Sequence, residues 1–188
     1  IIGTNGAGKS TFVSCMCGLM KKTKGTFRLD GKKQSAKEQV RDSYLVMQEV
    51  NHQLFSDSVR EEIVLGSDES SENSLQEIMT ALDISALSER HPMTLSGGQK
   101  QRVIIASAMF CGKKILYFDE PTSGLDFSHM IQTCQLLKQL QKEDVFLFII
   151  THDYELIASV CNSVIHVENG QVQEQYLLDR VGTEKLQA

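Results

Sequence analysis

The first eleven residues hold a glycine-rich stretch whose lysine and hydroxyl side chains have a spacing that suits phosphate binding. IIGTNGAGKST satisfies the pattern G-x-x-x-x-G-K-[ST] through Gly3, Gly8, Lys9 and Ser10. Glycines let the backbone approach a phosphate, and consecutive backbone N–H groups then form a concavity that attracts anions. A helix beginning near Lys9 would add its N-terminal N–H groups. We therefore predict that Lys9 reaches the β- and γ-phosphates of a nucleotide and that Ser10 binds Mg²⁺.

Further residues that could do chemistry lie at the ends of two apolar runs. ILYFD ends at Asp119 and is followed by Glu120, and VFLFIIT ends directly before His152. Ligands bind at the carboxyl edge of parallel sheets, where Asp119 can hold Mg²⁺ through water. Glu120 beside it can act as general base toward an attacking water. Taken singly, the two carboxylates also suit a solvated turn, and a strand-end histidine is more often structural.

The stretch LSGGQKQR, residues 95–102, is a second device for binding anions. Ser96 can cap a helix, Gly97 and Gly98 expose backbone N–H groups, and an apolar helix follows. The chain therefore contains two phosphate-binding helix N-termini. A single nucleotide could use both only if the second came from another subunit or from a sister domain.

In this order, the motifs resemble the nucleotide-binding domain of ABC ATPases. The resemblance covers nearly the whole chain, and its motifs are highly specific when taken together. It implies that ATP and Mg²⁺ are the cofactors. It also implies the following nucleotide-binding residues: Gly3, Asn5, Gly6, Ala7, Gly8, Lys9, Ser10 and Thr11 in the Walker A motif; Ser96, Gly97, Gly98 and Gln99 in the signature motif; and Asp126 in the D-loop SGLD.

The same resemblance assigns the remaining roles at the site. Glu120 is the catalytic carboxylate, His152 is the switch histidine that contacts the γ-phosphate, and Gln48 is the Q-loop residue that senses the γ-phosphate and Mg²⁺. Ser10, Gln48 and Asp119 are the expected metal site. Two such domains are expected to close head-to-tail around two ATP molecules, with a membrane-spanning transporter subunit as further partner. This would place the chain on the cytoplasmic face of a membrane.

The elements that must position these residues alternate between strands and helices. Apolar strands at 44–48, 115–119 and 145–150 are separated by helical patterns, which predicts an α/β fold with a mostly parallel sheet flanked by helices. Leu75, Ile78, Met79 and Leu82 form a helical stripe that is typical of core packing. Asn169-Gly170 predicts a hairpin turn.

We divide this single P-loop NTPase domain by its motifs. Residues 1–48 and 97–175 are assigned to a RecA-like core, 49–96 to a small α-helical subdomain, and 176–188 to a C-terminal tail. The start Ile1-Ile2 is typical of the end of a core strand, so we interpret the chain as truncated upstream. The resemblance would place an adenine-stacking aromatic residue and antiparallel strands there. We therefore expect weaker ATP binding than in an intact protein.

Composition sets outer limits on function. The chain has 188 residues, of which 41% are hydrophobic and 23% charged, as is ordinary for a globular domain. The net charge of −5 does not favour a nucleic-acid partner. Five cysteines without CxxC spacing favour buried free thiols over disulfides. The longest apolar run, VFLFII, is far shorter than a membrane span.

The segment after Gln48 indicates which kind of ABC ATPase this is. NHQLFSDSVREEIVLG, residues 51–66, resembles energy-coupling factor ATPases, which power uptake of vitamins or metal ions through a membrane partner. We expect His52, Leu54 and Phe55 to line a groove for a helix of that partner. For Leu54 and Phe55, a place in the core is the alternative. Two other functions stay open: a ribosome-associated ABC protein and a module that binds ATP without hydrolysing it.

Overall fold

A computed structural model describes residues 1–20, 24–67, 72–141 and 145–187. Within these residues, strands and helices follow one another along the chain, with three short 3-10 turns at Val50–His52, Ser85–Leu87 and Pro92–Thr94. The regular elements are α1 (Lys9–Met16), β1 (Phe27–Leu29), β2 (Lys32–Gln34), α2 (Ala36–Asp42), β3 (Ser43–Val46), α3 (Val59–Val64), α4 (Glu72–Ala81), α5 (Gly97–Phe110), β4 (Ile115–Asp119), α6 (Phe127–Leu140), β5 (Phe146–Ile150), α7 (Tyr154–Val160), β6 (Ser163–Glu168), β7 (Gln171–Leu177) and α8 (Arg180–Gln187).

The centre of the fold is a parallel sheet in the order β3-β4-β5. Ile1 and Ile2 lie beside β5 and join it to the antiparallel pair β6-β7. The Ile1 ammonium group donates to the Ile149 carbonyl at 2.6 Å, and the Ile2 N–H donates to the Ile165 carbonyl at 2.9 Å. The predicted α/β fold with a mostly parallel sheet is confirmed.

Both faces of the sheet are covered, which explains why the strands are apolar throughout. Along β4, Leu116 and Phe118 join the larger core cluster with α3 to α7, whereas Tyr117 joins a smaller cluster with α1. This alternation follows from the period of two along a strand. The predicted helical stripe is core as well, since Leu75, Met79 and Leu82 are buried.

Two hairpins complete the fold. β1 and β2 meet at an Asp30-Gly31 turn, and β6 and β7 meet at the predicted Asn169-Gly170 turn. All four turn residues have φ between 49° and 76°, as two-residue type I′ turns require.

Across the residues that the structure describes, no helix is both long and apolar enough to cross a bilayer. The predicted boundaries of the helical subdomain at residues 49 and 96 stay a prediction, because α5 packs against α3 and α4 as well as β3.

Candidate nucleotide-binding site

The glycine-rich loop turns into α1 as predicted. Gly8 has φ of 96° at the N-cap of α1, a conformation that favours glycine, and the helix begins at Lys9. The Lys9 ammonium group donates to the carbonyls of Gly3 at 2.8 Å and Thr4 at 3.0 Å. The lysine therefore lies folded over the loop, within reach of an anion held by the loop's N–H groups.

Ser10 and Asp119 meet across the sheet edge although 109 positions separate them. The Ser10 hydroxyl donates to Asp119 Oδ2 at 2.7 Å. Burial raises the pKa of the Asp119 carboxyl, and the Ser10 hydrogen bond opposes this rise. A hydroxyl and a carboxylate at this distance, with the Gln48 amide lining the same pocket, are the oxygen donors that Mg²⁺ prefers. The residues present therefore fit the cation.

Glu120 and His152 form a second pair beside this one. Glu120 has φ of 51°, and its N–H donates to the Ile150 carbonyl at 2.9 Å. Left-handed backbone is costly for a non-glycine residue and clusters at functional sites. His152 Nδ1 lies 2.8 Å from Glu120 Oε1. The pair thus places a carboxylate and an imidazole where they can hold an attacking water.

One depression of about 460 Å³ brings together most of the residues predicted in the glycine-rich loop and at the strand ends. Its lining is formed by the glycine-rich loop and by the ends of β3, β4 and β5, and consists of Asn5, Gly6, Gly8, Lys9, Ser10, Thr11, Gln48, Asp119, Glu120, Ile150 and His152. Gly3 and Ala7 are outside the lining: Gly3 lies against Val167 of β6, and the Ala7 carbonyl accepts the Gly170 N–H of the β6-β7 turn. The phosphate, metal and catalytic candidates therefore share one cavity.

The signature residues are outside the lining of this cavity. Ser96 caps α5 by accepting the Gln99 N–H at 3.3 Å, while Gln99 Oε1 accepts the Ser96 N–H at 3.0 Å. Gly97 and Gly98 form the first turn of α5, and a Cβ on Gly98 would lie 3.5 Å from the Leu125 side chain. The arrangement leaves a capped helix N-terminus that is free of this chain's own cavity.

Asp126 is also outside the lining and has a structural contact of its own. Its side chain caps α6 by accepting the His129 N–H at 3.0 Å, and its second oxygen lies 2.6 Å from His129 Nδ1. The backbone hydrogen bond lowers the pKa of this carboxyl, and the contact with the His129 ring lowers it further. The predicted contact of Asp126 with nucleotide stays a prediction.

Sequence reasoning missed the residues that hold the segment after Gln48. Gln53 accepts the Met47 N–H and donates to the Leu45 carbonyl, both at 2.7 Å, so it clamps the end of β3. Glu62 accepts the N–H groups of Phe55 and Ser56, both at 2.8 Å. Both contacts depend on how the chain folds back on itself, and the local sequence gives no signal for them.

Taken together, the glycine-rich loop that begins α1, the lysine folded over it, and the Ser10–Asp119 pair define a P-loop nucleotide-binding domain. A family model described as "ABC transporter" matches residues 1–123. The chain belongs to this family. It is accordingly an ATP-binding domain of the ABC ATPase class.

Comparison with curated proteins agrees with this placement. A putative ABC transporter ATP-binding protein from Treponema denticola is 43% identical over 93% of this chain, and one from Pyrococcus furiosus is 32% identical over 92%. The methionine import ATP-binding protein MetN of Haemophilus influenzae is 38% identical over 93% of this chain and 54% of its own length. The chain spans only 36% and 37% of two Treponema denticola relatives, but 70% of the Pyrococcus protein.

Two solved structures match nearly all of this chain's fold. The structure of cbiO1 from Clostridium perfringens, titled as part of the ABC transporter complex cbiONQ, has a TM-score of 0.81 and 29% identity and covers 98% of this chain and 80% of its own. The ATP-binding cassette MJ0796, a dimer in a post-hydrolysis state with ADP and Pi, also has a TM-score of 0.81, with 27% identity over 95% of this chain and 84% of its own.

Proposed function

We propose that this chain binds and hydrolyses ATP with Mg²⁺ as the ATPase part of an ABC transporter. The observation that carries the proposal is the cavity in which Ser10 contacts Asp119 and His152 contacts Glu120. The first pair would hold Mg²⁺ on the nucleotide. The second would place a general base and an imidazole beside the attacked phosphate.

We further propose that two such domains close head-to-tail around ATP. The capped N-terminus of α5 supports this, because Ser96 and Gly97 are exposed and are outside the lining of the chain's own cavity. Negative charge on the γ-phosphate would join the P-loop of one domain to Ser96, Gly97 and Gly98 of the other. ADP lacks that link, so hydrolysis would favour opening. MJ0796 is a dimer in its post-hydrolysis state with ADP and Pi, which supports pairing of two such domains.

A Glu120→Gln variant tests both parts. The amide keeps the shape and the contact with His152 but cannot accept a proton, so ATP hydrolysis should fall by about 10²- to 10⁴-fold while ATP binding persists. ATP should then hold the domains together, which light scattering after gel filtration measures. Glu77→Gln, on the exposed side of α4, is the matched control. Unchanged turnover in Glu120→Gln would remove its assigned role, and a wild-type protein that binds ATP without turnover would favour the non-hydrolysing module.

We propose that the transport partner spans a membrane and docks beside Gln48, as in the energy-coupling factor type, with a vitamin or a metal ion as cargo. The chain would then lie on the cytoplasmic face. Phe55 supports this, since the residue is 76% exposed while its backbone N–H is held by the Glu62 carboxylate. His52 is exposed as well. Leu54, by contrast, is 6% exposed and packs in the core, which supports the core alternative for this residue.

Co-purification from membranes tests the docking surface. Phe55→Ala should release the membrane partner while ATP binding is retained, because Phe55 packs against little of its own chain. Leu177→Ala removes an apolar side chain of similar exposure, 68%, on β7 and is the control. Recovery of ribosomes in place of a membrane protein with the wild-type chain would favour the ribosome-associated alternative.

A further inference from the structure

The turn between β6 and β7 contacts the phosphate loop through an N–H group that the hairpin does not use. Glu168 and Gln171 are the last pair of residues in the β6-β7 hairpin. The N–H groups of the two turn residues between them, Asn169 and Gly170, are therefore not used in pairing the strands. The Gly170 N–H donates to the carbonyl of Ala7 at 2.9 Å. Gly170 itself is exposed, whereas Ala7 is buried.

Two further contacts bring the same hairpin against the loop. A Cβ on Gly8 would lie 3.4 Å from the Gly170 Cα, and a Cβ on Gly3 would lie 2.0 Å from the Val167 carbonyl oxygen. The Val167 N–H also donates to the Ile2 carbonyl at 2.9 Å. The end of β6 and its turn therefore lie directly behind the loop, and at Gly3 the approach of the two backbones leaves no room for a Cβ.

The hydrogen bond to Ala7 fixes the orientation of one peptide plane. In a trans peptide, the carbonyl and the N–H of the next residue point in opposite directions. Because the Ala7 carbonyl points at the hairpin, the Gly8 N–H points away from it, and Gly8 lines the nucleotide cavity. A reversed plane would present a carbonyl oxygen to the phosphate in place of a donor.

We propose that Gly170 is a positioning residue for nucleotide binding, which holds the Ala7–Gly8 peptide so that the Gly8 N–H faces the phosphates. This inference rests on the proposed nucleotide site and adds the β6-β7 turn to it. The turn acts through the loop and touches no nucleotide itself. Its effect falls on phosphates common to ATP and ADP.

The matched β1-β2 hairpin provides a control for turn strain. Gly31 has φ of 76° and Gly170 has φ of 72°, and a Cβ on either would meet no atom within 4 Å. Proline at either position removes the N–H and excludes the positive φ, whereas asparagine keeps the N–H and tolerates the left-handed conformation. The variants are therefore Gly170→Pro, Gly170→Asn and Gly31→Pro in the full chain.

The assay is calorimetric titration with ATP and with ADP. Gly170→Pro should weaken both by at least about ten-fold, the effect of one hydrogen bond to a charged group. Gly170→Asn should restore binding to within about two-fold, and Gly31→Pro should bind as the wild type does. The inference is wrong if Gly170→Pro binds like Gly31→Pro, or if Gly170→Asn loses as much as Gly170→Pro.

Amide hydrogen exchange in the nucleotide-free wild type gives a second test that does not need a folded variant. The Gly170 N–H should exchange at least about ten-fold more slowly, relative to its intrinsic rate, than the Gly31 N–H of the matched turn. Equal exchange would overturn the inference even if the wild type binds ATP. A wild type that binds neither nucleotide would instead refute the proposed function, so the two failures are distinguishable.

Discussion

The Glu62 side chain holds the backbone of Phe55 and Ser56, and its removal tests how much these hydrogen bonds stabilise the fold. Its side chain comes from α3, the residue is only 4% exposed, and one carboxylate oxygen accepts the N–H groups of both Phe55 and Ser56 at 2.8 Å. Its backbone carbonyl also accepts the Ser107 hydroxyl of α5 at 3.3 Å. The carboxylate therefore ties the exposed Phe55 to the core.

Glu62→Ala removes the acceptor of both hydrogen bonds and leaves two N–H groups that are only partly buried. Hydrogen bonds to a charged group contribute about 1.5 to 3 kcal/mol each. Because water can reach the freed amides, we take the lower value for each bond, which gives about 3 kcal/mol in total. For a domain of this size, that corresponds to a fall in Tm of about 6 to 12 °C. Glu62→Gln keeps a neutral acceptor and should lose less than half of this.

Thermal unfolding followed by circular dichroism measures the loss, with Glu61→Ala as control. Glu61 is the neighbouring residue on α3 but its side chain is exposed, so its removal should change stability by no more than about 0.5 kcal/mol. Less of the membrane partner should co-purify with Glu62→Ala, as with Phe55→Ala, while the affinity of the folded protein for ATP should be unchanged. The reasoning is refuted if Glu62→Ala melts within about 2 °C of Glu61→Ala.

Two further predictions concern the metal side of the cavity. Ser10→Ala should lower the affinity for ATP by at least about ten-fold with Mg²⁺ present and little without it, because the hydroxyl is an oxygen donor beside Asp119. Titration with ATP in the presence and absence of Mg²⁺ measures this, with Ser14→Ala on the next turn as the control. An equal loss of affinity under both conditions would contradict the prediction. Burial raises the pKa of Asp119 in the nucleotide-free fold above its ordinary 3.8. Asp119 therefore favours the folded state fully below pH 3.8, and this stabilisation is lost as the pH rises through the raised pKa of the folded state. Asp119→Asn should abolish that decline, so its Tm relative to the wild type should increase along a pH series, and a constant difference would disprove the sign.

The residues of the site and the elements that carry them could be predicted because their signals are local. The spacing of the glycines and Lys9 predicted the loop and the start of α1, and the apolar runs predicted strands that end at Asp119 and near His152. The Asn169-Gly170 dipeptide determined its turn in the same way. One local signal was overlooked, since Ser35 and Glu38 form a capping box that starts α2.

Contacts between distant parts of the chain depend on the tertiary fold and could not be predicted. Neither the strand order β3-β4-β5 nor the place of Ile1 and Ile2 between β5 and β6 follows from periodicity, because pairing depends on which partners the whole chain brings together. Leu54 is buried in the core and the next residue, Phe55, is exposed, a difference that two neighbouring apolar residues in one motif do not reveal. Local residue patterns were enough to identify the side chains that could hold a nucleotide. Packing at long range determined how the backbone around them is held, since each such hydrogen bond needs a partner far away along the chain.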